Sequence, residues 1–215
     1  MKINLPLFIV FEGIDGSGKS TLIKALSKYY KSKGLPVIDI MEPTKGRYGK
    51  KIRELLTGMN STNAQEQLDL FLLDRADDVK SNILPSLNKN MMLFLDRYYY
   101  SNAAYQGASG ISPESILAEN KNRGFPQPDR VYLIDIDPTI ALHRIKKRNK
   151  IYNNALNRDC IKNEEIFEKE CFLKKVREIY LSIADKQFII IDGSRPIEAI
   201  IKIIKRDIEN NFCIS

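Results

Sequence analysis

The chain has 215 residues, of which 43% are apolar and 28% charged, a balance that suits one globular domain with a full core and excludes a disordered or fibrous chain. Its 34 basic and 27 acidic residues leave a net charge of +7, scattered without a block of five or six like charges. That excess suits nucleic acid or, equally, a small polyanion such as a nucleotide.

The elements follow in chain order. The run LFIVFEG at 7–13 is too short for a secretory leader and reads as a buried strand. STLIKALSKYYKSKG places Leu22, Ala25, Leu26 and Tyr29 on one helical face, with Gly34 where a C-cap belongs. LPVIDIMEP at 35–43 predicts a second strand. AQEQLDLFLLDRADDVKSNILPSL then repeats Leu68, Phe71, Leu72 and Val79 at helical spacing, predicting one continuous helix. MMLFLDRYY (91–99) and DRVYLIDID (129–137) predict strands three and four. DPTIALHRIKKRN opens with Asp137 as N-cap and Pro138 in the first turn. EEIFEKECFLKKVREIYLSIA is an amphipathic helix, QFIIIDG (187–193) a fifth strand, and PIEAIIKIIKRDIENNF a closing helix. Strands alternating with helices predict βαβ units: one α/β domain over residues 1–215, three layers, with a five-stranded parallel sheet between helices. No run nears the roughly 20 apolar residues of a membrane span. Cys160, Cys171 and Cys213 lack metal-like pairing, so reduced thiols in a cytoplasmic protein are expected.

The stretch FEGIDGSGKST fits G-x-x-x-x-G-K-S through Gly13, Gly18, Lys19 and Ser20, behind a strand and opening a helix. Glycines let successive N–H groups curl around phosphate oxygens, and the helix start aims its dipole at the same anion. In this pattern Lys19 reaches the β- and γ-phosphates and the Ser20 hydroxyl ligates Mg²⁺. The strand ending in Asp96 supplies the carboxylate that holds Mg²⁺ through water. Arg97, beside it at the carboxyl end of the sheet, is placed to clamp a second phosphoryl group. A nucleoside-triphosphate site with a phosphorylated acceptor is the expectation.

With these residues in view, the chain resembles the thymidylate kinase family, whose members phosphorylate dTMP to dTDP. The segments that carry the resemblance are FEGIDGSGKST, EPTKGRYGKKIRELL, LFLLDRADDV, DRYYYSNAAYQG, FPQPDRVYLIDIDPTIALHRIKKR and IIIDGSRPIEAI. It implies ATP and dTMP as substrates, Mg²⁺ as cofactor, and a homodimer with no nucleic-acid or membrane partner. The implied ATP set is Gly13, Asp15, Gly16, Ser17, Gly18, Lys19, Ser20 and Thr21, joined by Arg144 and Arg148. On the acceptor side Asp15 matches the carboxylate that bonds the deoxyribose 3′-hydroxyl, although aspartate also caps turns. Phe71 matches the aromatic that stacks on thymine, or is a core phenylalanine. Arg75 shares its face and is expected to contact the base or the dTMP phosphate. Arg97 holds the monophosphate, Pro43 after Glu42 shapes the bordering loop, and Asn102, Tyr105 and Gln106 line the nucleoside pocket. Tyr105 is placed to crowd C2′ and disfavour ribonucleotides.

Members of the family carry an extra arginine either in the phosphate loop or in the lid. The loop interior IDGS has none, so a lid over about 144–168 must supply the cation. Arg144, Lys147, Arg148, Lys150 and Arg158 are the candidates, and Arg148 fits the KR position best. Where lid-type relatives carry Asp-Arg, this chain has Glu165-Ile166, and its lid is lengthened by IYNNALNRDCI. His143 has no assigned role. Two alternatives stay open: a kinase for another acceptor, and an ATP-switched regulatory or nucleic-acid-binding protein.

Overall fold

The computed structural model describes residues 3–56, 63–153 and 163–213. Five strands form one parallel sheet in the order β2-β3-β1-β4-β5. They are β1 (Leu7–Glu12), β2 (Val37–Met41), β3 (Met92–Asp96), β4 (Arg130–Asp135) and β5 (Phe188–Asp192), one within each of the five apolar runs. The pleat sends alternate side chains to two cores. Phe8, Val10, Leu93, Leu95, Val131 and Leu133 enter one core, beneath α5 (Tyr99–Ala108), α7 (Pro138–Asn153) and α8 (Asn163–Ser182). Leu7, Ile9, Phe11, Phe94, Tyr132 and Ile134 enter the other, beneath α1 (Lys19–Ser32) and α9 (Ile197–Phe212). Full burial of each such side chain contributes about 1.5–3 kcal/mol, which is why the central strands read as unbroken apolar runs.

The caps agree with the local chemistry. α1 ends at Ser32, with Lys33 as C-cap and then Gly34, whose φ of +79° suits a residue without a Cβ. The Asp137 carboxylate accepts the Thr139 N–H at 2.8 Å as α7 begins. Residues 64–88 differ from the expected single helix. They form α3 (Ala64–Asp78), a five-residue π segment at Val79–Ile83, and α4 (Leu84–Asn88). Pro85 is the physical reason: it has no N–H to give Ser81 and its ring crowds that carbonyl, so the backbone widens by a residue. Two further helices, α2 (Arg47–Leu56) and α6 (Pro113–Asn122), complete the described elements.

The chain leaves β1 for one edge of the sheet, returns to β3, then crosses to β4 on the other side of β1. Phe11 and Asp96 are register partners, so the loops after β1 and β3 emerge side by side at the carboxyl edge, where the strand order reverses.

Candidate active site

The loop between β1 and α1 takes its shape from glycine. Gly13, Gly16 and Gly18 have φ of +136°, +84° and +102°, values that L side chains rarely adopt. A Cβ on Gly16 would sit 2.5 Å from the Ala141 carbonyl oxygen, so the loop rests directly on α7. The Lys19 ammonium is buried and donates to the carbonyls of Gly13 at 2.8 Å and Ile14 at 3.1 Å, and to Ser17 Oγ at 3.3 Å. Burial, and after it the charge of Arg97, lowers its pKa to about 8. Ser20 Oγ donates to Asp96 Oδ2 at 2.5 Å, joining the start of α1 to the end of β3.

Beside this pair lies the predicted acceptor end. Arg97 has a φ of +70°, a conformation uncommon for a residue with a side chain and frequent at functional sites. Its Nη2 donates to Asp15 Oδ1 at 2.7 Å and Tyr105 Oη at 3.3 Å, and its guanidinium lies 5.1 Å from the Tyr105 ring centroid. Burial works against the Arg97 charge, but Tyr105, Asp15, Tyr180 and Glu12 hold its pKa well above the usual value. For Asp15, burial pushes the carboxyl up, and the charges of Arg97 and Lys19 outweigh it and lower it. Asp15, Lys19, Asp96 and Arg97 thus form one charged cluster at the carboxyl edge.

Arg75 departs from the expected direct contact. It is fully buried, and each of its three nitrogens donates to a protein group. Nε and Nη2 donate to Glu42 Oε2 at 3.0 and 2.5 Å, Nη1 to Asn120 Oδ1 at 2.8 Å, and Nη2 also to Asn102 Oδ1 at 2.7 Å. Asn102 Nδ2 then donates to Gln106 Oε1 at 3.0 Å, so Arg75 supports the expected nucleoside residues from beneath. Burial raises the Glu42 carboxyl to about 8 even against Arg75. Asn102 and Gln106 are themselves buried, Tyr105 and Phe71 half-buried. The loop at Pro43 is fixed by Asp74, which accepts from the Thr44 N–H at 2.7 Å and Oγ1 at 2.6 Å, and by Arg53, which donates to the Pro43 and Thr44 carbonyls.

On the lid side, Arg144 is half-buried and Lys147 and Arg148 are exposed on α7, and none of them bonds a described residue. The side chains of Lys150, Arg158, Glu165 and Ile166 lie outside the described residues. Sequence reading passed over Glu12, Asp74, Asn120 and Tyr180. Glu12 could have been flagged as an acid ending a buried strand, whereas Tyr180 is 83 residues from Arg97 and carries no local signal.

A sequence profile described as thymidylate kinase matches residues 11–204. The chain is 41% identical over 202 residues to the thymidylate kinase of Leptospira borgpetersenii, covering 94% of this chain and 93% of that one. It is 43% identical over 195 residues to the thymidylate kinase of Leptospira interrogans, covering 91% and 90%. With a probable thymidylate kinase of Archaeoglobus fulgidus it shares 36% identity over 204 residues, 95% of each chain.

Proposed function

The chain belongs to the thymidylate kinase family, and from that premise we propose that it transfers the γ-phosphoryl group of ATP to dTMP, giving ADP and dTDP for dTTP synthesis. The observation that carries this reading is the contact between two motif segments. The phosphate loop after β1 meets the DRYYYSNAAYQ segment after β3 through Asp15 and Arg97, 2.7 Å apart.

Phosphoryl transfer depends on alignment and on neutralising charge rather than on covalent chemistry. The loop amides and Lys19 hold the donor phosphates. Arg97 holds the dTMP phosphate in line with them, and Asp15 accepts the deoxyribose 3′-hydroxyl. No general base is needed, because the attacking group is already a phosphate oxyanion. Each well-aimed donor typically contributes on the order of 10²–10³ in rate. Phe71 stacks on the base above the Arg75-supported Asn102 and Gln106, Tyr105 crowds C2′, and Pro43 borders the pocket.

The residues fit a magnesium ion: Ser20 Oγ and Asp96 Oδ2 are hard oxygens brought together beside the loop. When bound, the ion would offset charge on the donor phosphates. The proposal also includes Arg144 and Arg148 as cations of a lid spanning about 144–168, a homodimer, and a cytoplasmic location. Support for the lid comes from α7, whose Ala141 backbone lies against Gly16.

The test is an ADP-release assay with ATP–Mg²⁺ and a panel of dTMP, dUMP, dCMP and thymidine. Turnover highest with dTMP is expected, and no turnover with dTMP overturns the proposal. Arg148→Ala and Arg158→Ala in the same assay test the lid: at least one loses activity strongly while still binding dTMP.

A further inference from the structure

The acceptor arginine is held from two sides, and only one side faces the cluster already described. Its Nη1 donates to Ser101 Oγ at 3.0 Å and to Tyr180 Oη at 3.3 Å. Both hydroxyls also reach Glu12 Oε2, Ser101 at 2.6 Å and Tyr180 at 2.9 Å, while Glu12 Oε1 accepts the Tyr98 N–H at 2.8 Å. Glu12, Ser101 and Tyr180 are all buried.

A hydroxyl has one proton and two lone pairs, and an ionised carboxylate only accepts. Ser101 Oγ and Tyr180 Oη also lie 2.9 Å apart, so their two protons are shared between Glu12 and this mutual bond, and each oxygen keeps a lone pair to face Arg97. The buried carboxylate thereby fixes both hydroxyls as acceptors for the guanidinium, and supplies a countercharge one atom removed. Burial raises the Glu12 carboxyl above its ordinary value, and the charge of Arg97 and the bonds from Ser101, Tyr98 and Tyr180 limit that rise without cancelling it. Arg97 needs such support because its left-handed backbone does not by itself fix where a guanidinium on three methylenes points.

We propose that Tyr180 and Glu12 are positioning residues for the acceptor phosphate: Glu12 orients the Tyr180 and Ser101 hydroxyls, and these hold Arg97 Nη1 and with it the whole guanidinium at the acceptor end of the site. Tyr180 sits on α8, beyond the motif segments, so the acceptor clamp draws a necessary contact from the helix that follows the basic segment. This inference rests on the reading of Arg97 as the holder of the dTMP phosphate.

A double-mutant cycle in dTMP binding tests it, with wild type, Tyr180→Phe, Arg97→Ala and the double variant titrated calorimetrically. Tyr180→Phe is expected to weaken dTMP binding roughly tenfold, the scale of a lost hydrogen bond to a charged group. In the Arg97→Ala background the same change should alter binding less than about twofold, because nothing remains to be positioned. The KM for ATP should stay within about twofold in Tyr180→Phe. An undiminished effect without Arg97, or no effect in the single variant, overturns the proposal. Should Tyr180→Phe not fold by circular dichroism, Ser101→Ala enters the same cycle. Failure of wild type to bind dTMP, or Arg97→Ala binding it normally, would instead refute the underlying assignment of Arg97.

Discussion

The contact of the phosphate loop with α7 makes a quantitative prediction about Gly16. Alanine there carries a φ of +84° and puts its Cβ 2.5 Å from the Ala141 carbonyl oxygen and 3.1 Å from Ile145 Cγ1. The obstacle is mainly helix backbone, which cannot swing aside. Gly34 is the matched control, with a φ of +79° and nothing within 4 Å of the added Cβ. Left-handed strain costs about 1–2 kcal/mol at either site, and the restriction of the unfolded chain is common to both. Displacing packed backbone adds about 1–3 kcal/mol at Gly16 alone. Gly16→Ala should therefore be less stable than Gly34→Ala by about 2 kcal/mol, a further fall of about 4–8 °C in Tm for a domain of this size. Thermal melts by circular dichroism, with ATP binding measured alongside, decide the matter. Equal falls for the two variants would show that the loop does not rest on α7, and would remove the support for Arg144 and Arg148 as neighbours of the phosphates.

Other predictions concern charge. Lys19 titrates near 8 in the fold against 10.5 for the ordinary side chain, so raising the pH from about 8 to 10.5 relieves a buried charge and increases stability. The cation that ATP requires is lost over the same interval, so kcat/KM for ATP falls above about pH 8; a flat profile to pH 10 would contradict this. Arg75→Met leaves the buried Glu42, Asn102 and Asn120 oxygens without their donor and should cost about 3 kcal/mol in urea unfolding, with Glu42→Met restoring part of it; a loss under about 1 kcal/mol would refute the pairing. Excess EDTA should abolish ADP release and added Mg²⁺ restore it, and turnover that survives chelation would remove the role given to Ser20 and Asp96.

Much of this was legible because the central strands are buried on both faces and the phosphate loop is local chemistry. All five strands lie within their apolar runs, and Gly13, Gly18, Lys19 and Ser20 sit where the spacing put them. What was not legible depends on tertiary context. The strand ends at Asp96, as read, but the run MMLFLDRYY does not show why: Arg97 turns left-handed there and Tyr99 begins α5. Its aromatic residues favour a strand by propensity, and burial of Tyr98, Tyr99 and Tyr100 against the core overrides that preference. Arg75 faces the expected side of α3, but its partners Glu42, Asn102 and Asn120 come from three other segments. Only the fold brings them together. Tyr180 reaches Arg97 from a distant helix for the same reason.

The most direct test of the central claim is the structure of this protein crystallised with dTMP and a non-hydrolysable ATP analogue. The account predicts the dTMP phosphate within hydrogen-bonding distance of the Arg97 guanidinium and in line with the terminal phosphate held over Lys19. A monophosphate bound away from Arg97, or nucleotides too far apart for transfer, would contradict it.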